Sequence, residues 1–273
     1  MQDKKQFGKT SSLGGDVVHL TLSKVISLCI TTLSTMLLSR FRTYTEYGTY
    51  SQLLLVVNLF SSLFMLGLPS SINYFLARAE TQNERQKFLS VYYTLSTVLS
   101  LAMGVALMLA VPLIEGYFKN PLIRSFSYFL ALYPWTTVIS SGIENVLVVY
   151  QRTRLLIGYR LLNSLLLLGT VLVIQWLKLD FSAYLCLYLV VNVAFAISVY
   201  LIVAKFSGGL EISFDQALIR SIFVFSIPLG LSSVVGTLNI EIDKLLIGWL
   251  MSTEDMAIYT NASKELPITI VAS

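Results

Sequence analysis

Histidine and cysteine are nearly missing: the 273 residues hold one His and two Cys. A zinc centre needs about four nitrogen or sulfur ligands, so no metal site is expected from this set. Cys29 and Cys186 both fall inside apolar runs and read as small packing residues rather than as a disulfide. Charge is scarce too, at 12%, and no basic run interleaved with aromatics occurs, so nucleic acid is not an expected partner. G-x-S-x-G, a Walker loop, H-E-x-x-H and a metal-holding Asp-x-Asp pair are all absent. No catalytic residue is therefore nominated, and neither an enzyme nor a cofactor is expected.

What is abundant is apolar surface. With 55% hydrophobic residues and a mean hydropathy of +0.74, a water-soluble fold would leave large greasy patches exposed, and the chain reads as an integral membrane protein. Apolar runs cover residues 17–38, 49–76, 88–113, 125–149, 155–177, 181–204 and 218–250. A hydrocarbon core of roughly 30 Å takes about 20 helical residues, so each run is a candidate span, seven in all. The class is all-α, a polytopic transmembrane helical bundle. Pro69 and Pro228 lie inside long runs, where a missing amide bends a helix. Residues 257–273 begin an eighth span but contain Lys264, Glu265 and Pro267. The first run carries His19 and Lys24 and lacks an Ala-x-Ala exit, which favours a retained helix over a cleaved signal peptide.

Basic residues sort by side. Lys4, Lys5, Lys9, Arg78, Arg85, Lys87, Arg152, Arg154, Lys205 and Arg220 fall on the side of the N-terminus, against Arg40, Arg42, Lys119, Arg124 and Lys178 on the other. That excess places the N-terminus in the cytoplasm. Residues 226–259, slid back onto 17–50, superpose Leu231-Ser232 on Leu22-Ser23, Asp255 on Glu46 and Tyr259 on Tyr50. Both copies read as one long apolar helix, an acidic-polar turn, then a Tyr in the next helix. Spans 1 and 7 run the same way, so the halves are expected to be parallel repeats. The organisation that follows is a cytoplasmic tail at 1–16, a six-span first bundle at 17–204, a cytoplasmic linker at 205–217, and the start of a second pseudo-symmetric bundle at 218–273.

Polar groups inside spans are costly, so the face they share matters. In span 1, His19, Ser23, Ser27, Thr31 and Ser34 form one helical stripe, with Lys24 and Thr35 on its border. In span 7, Ser226, Gly230, Ser233, Thr237, Glu241, Lys244 and Gly248 repeat that spacing, with Asp243 nearby. Span 2 shows a looser version through Asn58, Ser62, Met65, Pro69 and Asn73. Small and hydroxylated residues also let helices approach closely in lipid, which accounts for the Ser, Thr and Gly positions equally well. It accounts less well for Lys24, Glu241, Asp243 and Lys244, since a lone charge at the bilayer centre costs about 3 kcal/mol. Glu144 and Arg160 lie near the inner ends of adjacent spans: two interfacial side chains, or an ion pair bordering a polar cavity.

The run LLSRFRTYTEYGTYSQ (37–52), the span end LFMLGLPSSINYFLAR (63–78) and the segment FSIPLGLSSVVGTLNIEIDKLLIGWLMSTEDMAIYTNAS (225–263) resemble the polysaccharide or O-antigen flippases. Their superfamily also holds multidrug exporters and lipid II flippases. The resemblance implies paired six-helix bundles around a central cavity that opens to alternate sides. It further implies that an undecaprenyl-diphosphate-linked oligosaccharide is carried across a bacterial inner membrane. By that likeness Lys24 looks like the cationic residue that receives the diphosphate, and Arg78 like a second, inner-side phosphate contact. Asn73, Glu144, Glu241, Asp243 and Lys244 complete the candidate substrate-binding set. The implied partners are the lipid-linked oligosaccharide, the bilayer and other polysaccharide-assembly proteins. The chain departs from the family in ending within its eighth span, which reads as a fragment or a natural truncation. A cation-coupled drug exporter of the same fold and a non-catalytic scaffold subunit are the alternatives. A glycan polymerase or ligase fits less well, because the longest outward loop, 114–124, is too short for such a site.

Overall fold

The computed structural model describes residues 10–263, with side chains from Val18 onward. The elements run α1 (Thr10–Phe41), α2 (Tyr44–Met65), α3 (Leu68–Ser71), a π-turn (Ile72–Leu76), α4 (Gln82–Phe118) and α5 (Leu122–Ser125). There follow α6 (Ser127–Ser141), α7 (Ile143–Val149), α8 (Thr153–Trp176), α9 (Phe181–Ser207), α10 (Gln216–Leu250) and α11 (Thr253–Ala262). Six of these helices are long and apolar enough to cross a membrane. The chain is thus a multi-pass membrane protein.

Sequence-level boundaries shift in four places. The expected fourth span is made by α6 and α7 in series, interrupted at Gly142, so six helices rather than seven qualify singly. Span 2 breaks at Leu66 and Gly67, both at positive φ, and not at Pro69, which sits in the first turn of α3 where its missing amide costs nothing. Helix α1 already begins at Thr10, inside the segment assigned to the tail. The linker is shorter than expected, residues 208–215, and is tied down: the Glu211 and Ser213 amides donate to the Ser90 and Thr94 hydroxyls of α4. Of the expected eighth span only α11 is seen; residues 264–273 lie outside the described residues.

The helix starts follow local chemistry. Thr43, Thr81 and Ser252 each close a capping box, with Glu46, Glu84 and Asp255 respectively, satisfying amides that the helix itself leaves bare. At the start of α10 the Asp215 carboxylate accepts from the Leu218 amide. Two apolar cores result. One gathers Tyr50, Leu53, Met103, Phe129, Ile174 and Leu185; the other gathers Ile72, Leu89, Ile139, Leu147, Leu156 and Val199. Helices α4, α6, α8 and α9 contribute to both, so the cores occupy opposite ends of the same bundle, and the stretches between them carry polar residues such as Thr97, Thr137, Asn163 and Asn192 among apolar ones.

The sequence repeat has a structural counterpart. Phe41 and Leu250 end α1 and α10, Tyr44 and Thr253 begin α2 and α11, and Thr43 and Ser252 cap them. Each of these pairs is separated by the same 209 residues that separate Thr45 from Glu254, and those two touch: the Thr45 hydroxyl donates to Glu254 Oε1 at 3.0 Å. Helices α2 and α11 pack closely, with a Cβ at Gly48 falling 2.0 Å from the Thr253 carbonyl oxygen, so only glycine fits there.

Candidate functional site

Where α1, α2, α10 and α11 converge they leave a hollow of about 120 Å³, lined in part by Thr35, Ser51, Asn58, Glu241, Lys244 and Thr260. Two of its wall pairs, Thr35 with Lys244 and Ser51 with Thr260, again differ by the repeat offset of 209. The hollow therefore sits where equivalent helices of the two repeats face one another. Its charge is internally balanced: Lys244 Nζ donates to Glu241 Oε2 at 2.6 Å, one turn apart on α10. Glu241 is buried, and a carboxylate there is tolerable because its partner neutralises it. Behind the hollow stands a cluster of tyrosines in which the Tyr50 ring meets those of Tyr184 and Tyr188 edge-on.

Lys24 is exposed. Its direction is nonetheless defined. At about 100° per residue, Thr31 and Thr35 each fall within roughly 20° of Lys24 around α1, on either side of it. The exposed apolar residues Leu22, Ile26 and Leu33 project from the opposite side. Lys24 thus shares its face with residues that line internal hollows, and the apolar stripe facing away belongs to lipid. His19 is exposed, and the buried Ser23 and Ser34 turn toward the bundle. The polar stripe of α1 is consumed mainly by α8: Ser27 and Ser164 are hydrogen-bonded, and Arg160 reaches the Leu20 carbonyl and the Ser23 hydroxyl at 3.5 Å each.

The stripe of α10 is consumed differently. A Cβ at Gly230 would lie 2.3 Å from the Leu66 carbonyl carbon, and one at Gly67 would lie 2.7 Å from the Gly230 nitrogen. A Cβ at Gly248 would strike the Phe118 ring at 2.4 Å. These glycines key α10 into the break between α2 and α3 and against the end of α4, so much of the stripe is a packing surface. Asp243 is off the hollow, exposed, and accepts from the Tyr259 hydroxyl at 3.1 Å.

Glu144 and Arg160 do form an ion pair, with Arg160 NH2 and Nε donating to Glu144 Oε1 at 2.6 and 3.1 Å. Both line a second, polar hollow of about 320 Å³ between the two apolar cores. Sequence reasoning found the pair and, in the span 1 stripe, Ser27 and Thr31 of the same wall, but missed Thr137, Ser140, Asn163 and Asn192. Those residues sit at mid-span on three helices, and common depth is the signal that groups them. Asn73 and Arg78 are exposed and remote from both hollows. The Arg78 guanidinium lies 3.8 Å above the Tyr74 ring, which stacks on Phe225 of α10. It borders a cleft at the start of α10 together with Lys87 and Asp215, themselves paired at 2.6 Å. The predicted residues are therefore spread over three places: Glu241 and Lys244 at the hollow between the repeats, Glu144 at the polar one, and Arg78 at the cleft. Among the described residues no group of three or more His, Cys, Asp or Glu is placed to hold a metal ion.

Neither the curated proteins nor the solved structures yield a match to this chain. A family model does. It describes polysaccharide biosynthesis proteins, the assignment to which the motifs at 37–52, 63–78 and 225–263 pointed, and it covers residues 13–269, so the chain belongs to that family.

Proposed function

We propose that this protein is a flippase that carries an undecaprenyl-diphosphate-linked oligosaccharide from the inner to the outer leaflet of a bacterial inner membrane. Its family and its membrane-spanning helices support polysaccharide export as the general role. The observation that carries the finer reading is the meeting of α1 and α2 with α10 and α11 at the repeat offset, around a hollow with polar walls. On this reading α10 and α11 open a second bundle, and the space between bundles alternates its opening between the two sides. The N-terminus is cytoplasmic.

Lys24 is the receptor for the diphosphate in this scheme. An ammonium on the hollow-facing side of α1 attracts a multiply charged phosphate far more strongly in a low-dielectric setting than in water. Lys244 is held in reserve by Glu241, and Arg78, with Asn73 one turn before it, receives the headgroup at the inner mouth. Asp243 and Glu144 act on this set electrostatically rather than as direct phosphate contacts, since carboxylates repel the ligand. No step breaks or forms a covalent bond, so the protein acts as a transporter and not as a transferase.

The test is complementation of a flippase-null strain by the gene and by its Lys24→Ala variant. Loss of surface glycan by about tenfold or more is expected for the variant at normal abundance, equivalent to about 1.4 kcal/mol. Full activity of that variant removes Lys24 from the mechanism. Drug resistance conferred by the gene without any change in surface glycan replaces the whole reading with drug export.

A further inference from the structure

Apart from the electrostatic part given to Glu144, the polar hollow between the two apolar cores has no role in the scheme above, yet its walls have a consistent chemistry. Thr31, Thr137, Ser141 and Ser164 each spend their only hydroxyl proton on a carbonyl of their own helix, at 2.7–2.9 Å. A hydroxyl committed in that way presents lone pairs alone to the cavity. The Asn163 carboxamide also lines it and has no protein partner among the described residues. The chamber is thus rich in acceptors and sits in the middle of a membrane protein. It is suited to a neutral ligand that brings many donors.

A small cation is the other ligand for such walls, but the charge is wrong. Glu144 is the single carboxylate lining the cavity, and Arg160 in the same wall cancels it at 2.6 Å. At about 320 Å³ the space holds roughly ten waters at 30 Å³ each, enough for a pyranose ring with solvent around it. The hollow is also well placed. Ser27 and Thr31 of its wall stand about 5 and 10 Å beyond Lys24 along α1, on nearly the same face.

We infer that this hollow is a sugar subsite, which receives the diphosphate-proximal sugar of the carried lipid while Lys24 holds the phosphate. The inference rests on the flippase reading and adds a source of glycan selectivity within the first bundle. Asn163 and the acceptor hydroxyls recognise the sugar, and the Glu144–Arg160 pair offers both a donor and an acceptor at its edge. A chamber built this way discriminates by leaving wall acceptors unpaired when the sugar is absent or misshapen.

The experiment measures binding of two probes to the purified full chain in phosphatidylcholine nanodiscs: undecaprenyl diphosphate, and the same lipid bearing one N-acetylglucosamine. Wild type is expected to prefer the sugar-bearing lipid by about tenfold. Asn163→Leu and the nearly isosteric Thr137→Val should bring that preference close to unity with affinity for the bare lipid unchanged; Lys24→Ala should weaken both probes alike. If Asn163→Leu does not fold, Thr137→Val carries the test alone. Equal affinity of wild type for both lipids, or a preference that survives in the variants, overturns the subsite while leaving the flippase reading intact. Failure to bind either lipid overturns both. Stabilisation by sodium chloride over choline chloride, with no sugar preference, shows the chamber to be a cation site instead.

Discussion

Helices α1 and α10 occupy equivalent places in the repeat, end on equivalent residues and hand over to the same kind of capped turn, yet they spend their polar faces in opposite ways. On α1 Ser23 and Ser27 bond to α8 while Thr31 and Thr35 bond back to their own helix, and Lys24 is unmatched by any ion pair among the described residues. On α10 the glycines admit the backbone of α2 and α3, and the charges pair with each other. A hydrophilic stripe in a membrane helix is therefore a composite. Close approach, hydrogen bonding to a neighbour and presentation of charge to a cavity share one periodicity and separate only when the partners are known.

The sharpest way to break this comparison uses two glycines of the same helix. Gly230→Leu forces a side chain into the Leu66 backbone and is expected to cost about 3 kcal/mol or more, seen as loss of monodisperse protein in detergent. Gly236→Ala, where a Cβ meets nothing within 4 Å, should leave the melting temperature unchanged or raise it. Equal behaviour of the two variants would mean that the α2–α3 break does not receive α10. Next in size is Lys244→Met, which strands the buried Glu241 carboxylate and should cost about 2–3 kcal/mol in thermal unfolding. Adding Glu241→Gln to it should return part of that loss, and failure to do so would argue against the pairing.

The two capped turns provide a finer test. Thr43→Ala and Ser252→Ala each remove a side-chain acceptor from an otherwise bare helix start, for about 1 kcal/mol apiece. If the turns do the same work the two losses should match within error, and a loss confined to one would break the equivalence. The smallest effect is on the acid side. A hydrogen bond from Lys87, and then the Leu218 amide, hold the Asp215 carboxyl below its ordinary value of 3.8. A depressed carboxyl contributes stability that is complete above that ordinary value and is lost as the pH falls through the folded one. Asp215→Asn should lower stability slightly at neutral pH and leave it almost unchanged below the folded value, which flattens the acid limb of a stability profile.

Much of this arrangement was legible beforehand. Residues 17–50 and 226–259 could be matched by eye because a Ser or Thr cap, an acid three positions on and a Tyr follow each long apolar run, and the helix ends fall as that match requires. The Glu144–Arg160 contact was also within reach, since only one turn separates their spans. The break at Leu66–Gly67 was not, because Pro69 draws the eye although a proline at the start of a helix disturbs nothing. Nor was the chamber between the cores: its walls come from five helices, and each hydroxyl alone looks like an ordinary packing residue.

The bond between Thr45 and Glu254 has one more implication. Positions matched by the 209-residue offset would carry the same residue if the two segments were copies, and two glutamates facing each other there would repel. A threonine opposite a glutamate makes one a giver of the proton and the other its taker. Unlikeness at these two positions, 209 residues apart, is thus what joins α2 to α11 at a point where a glutamate on each helix would push them apart.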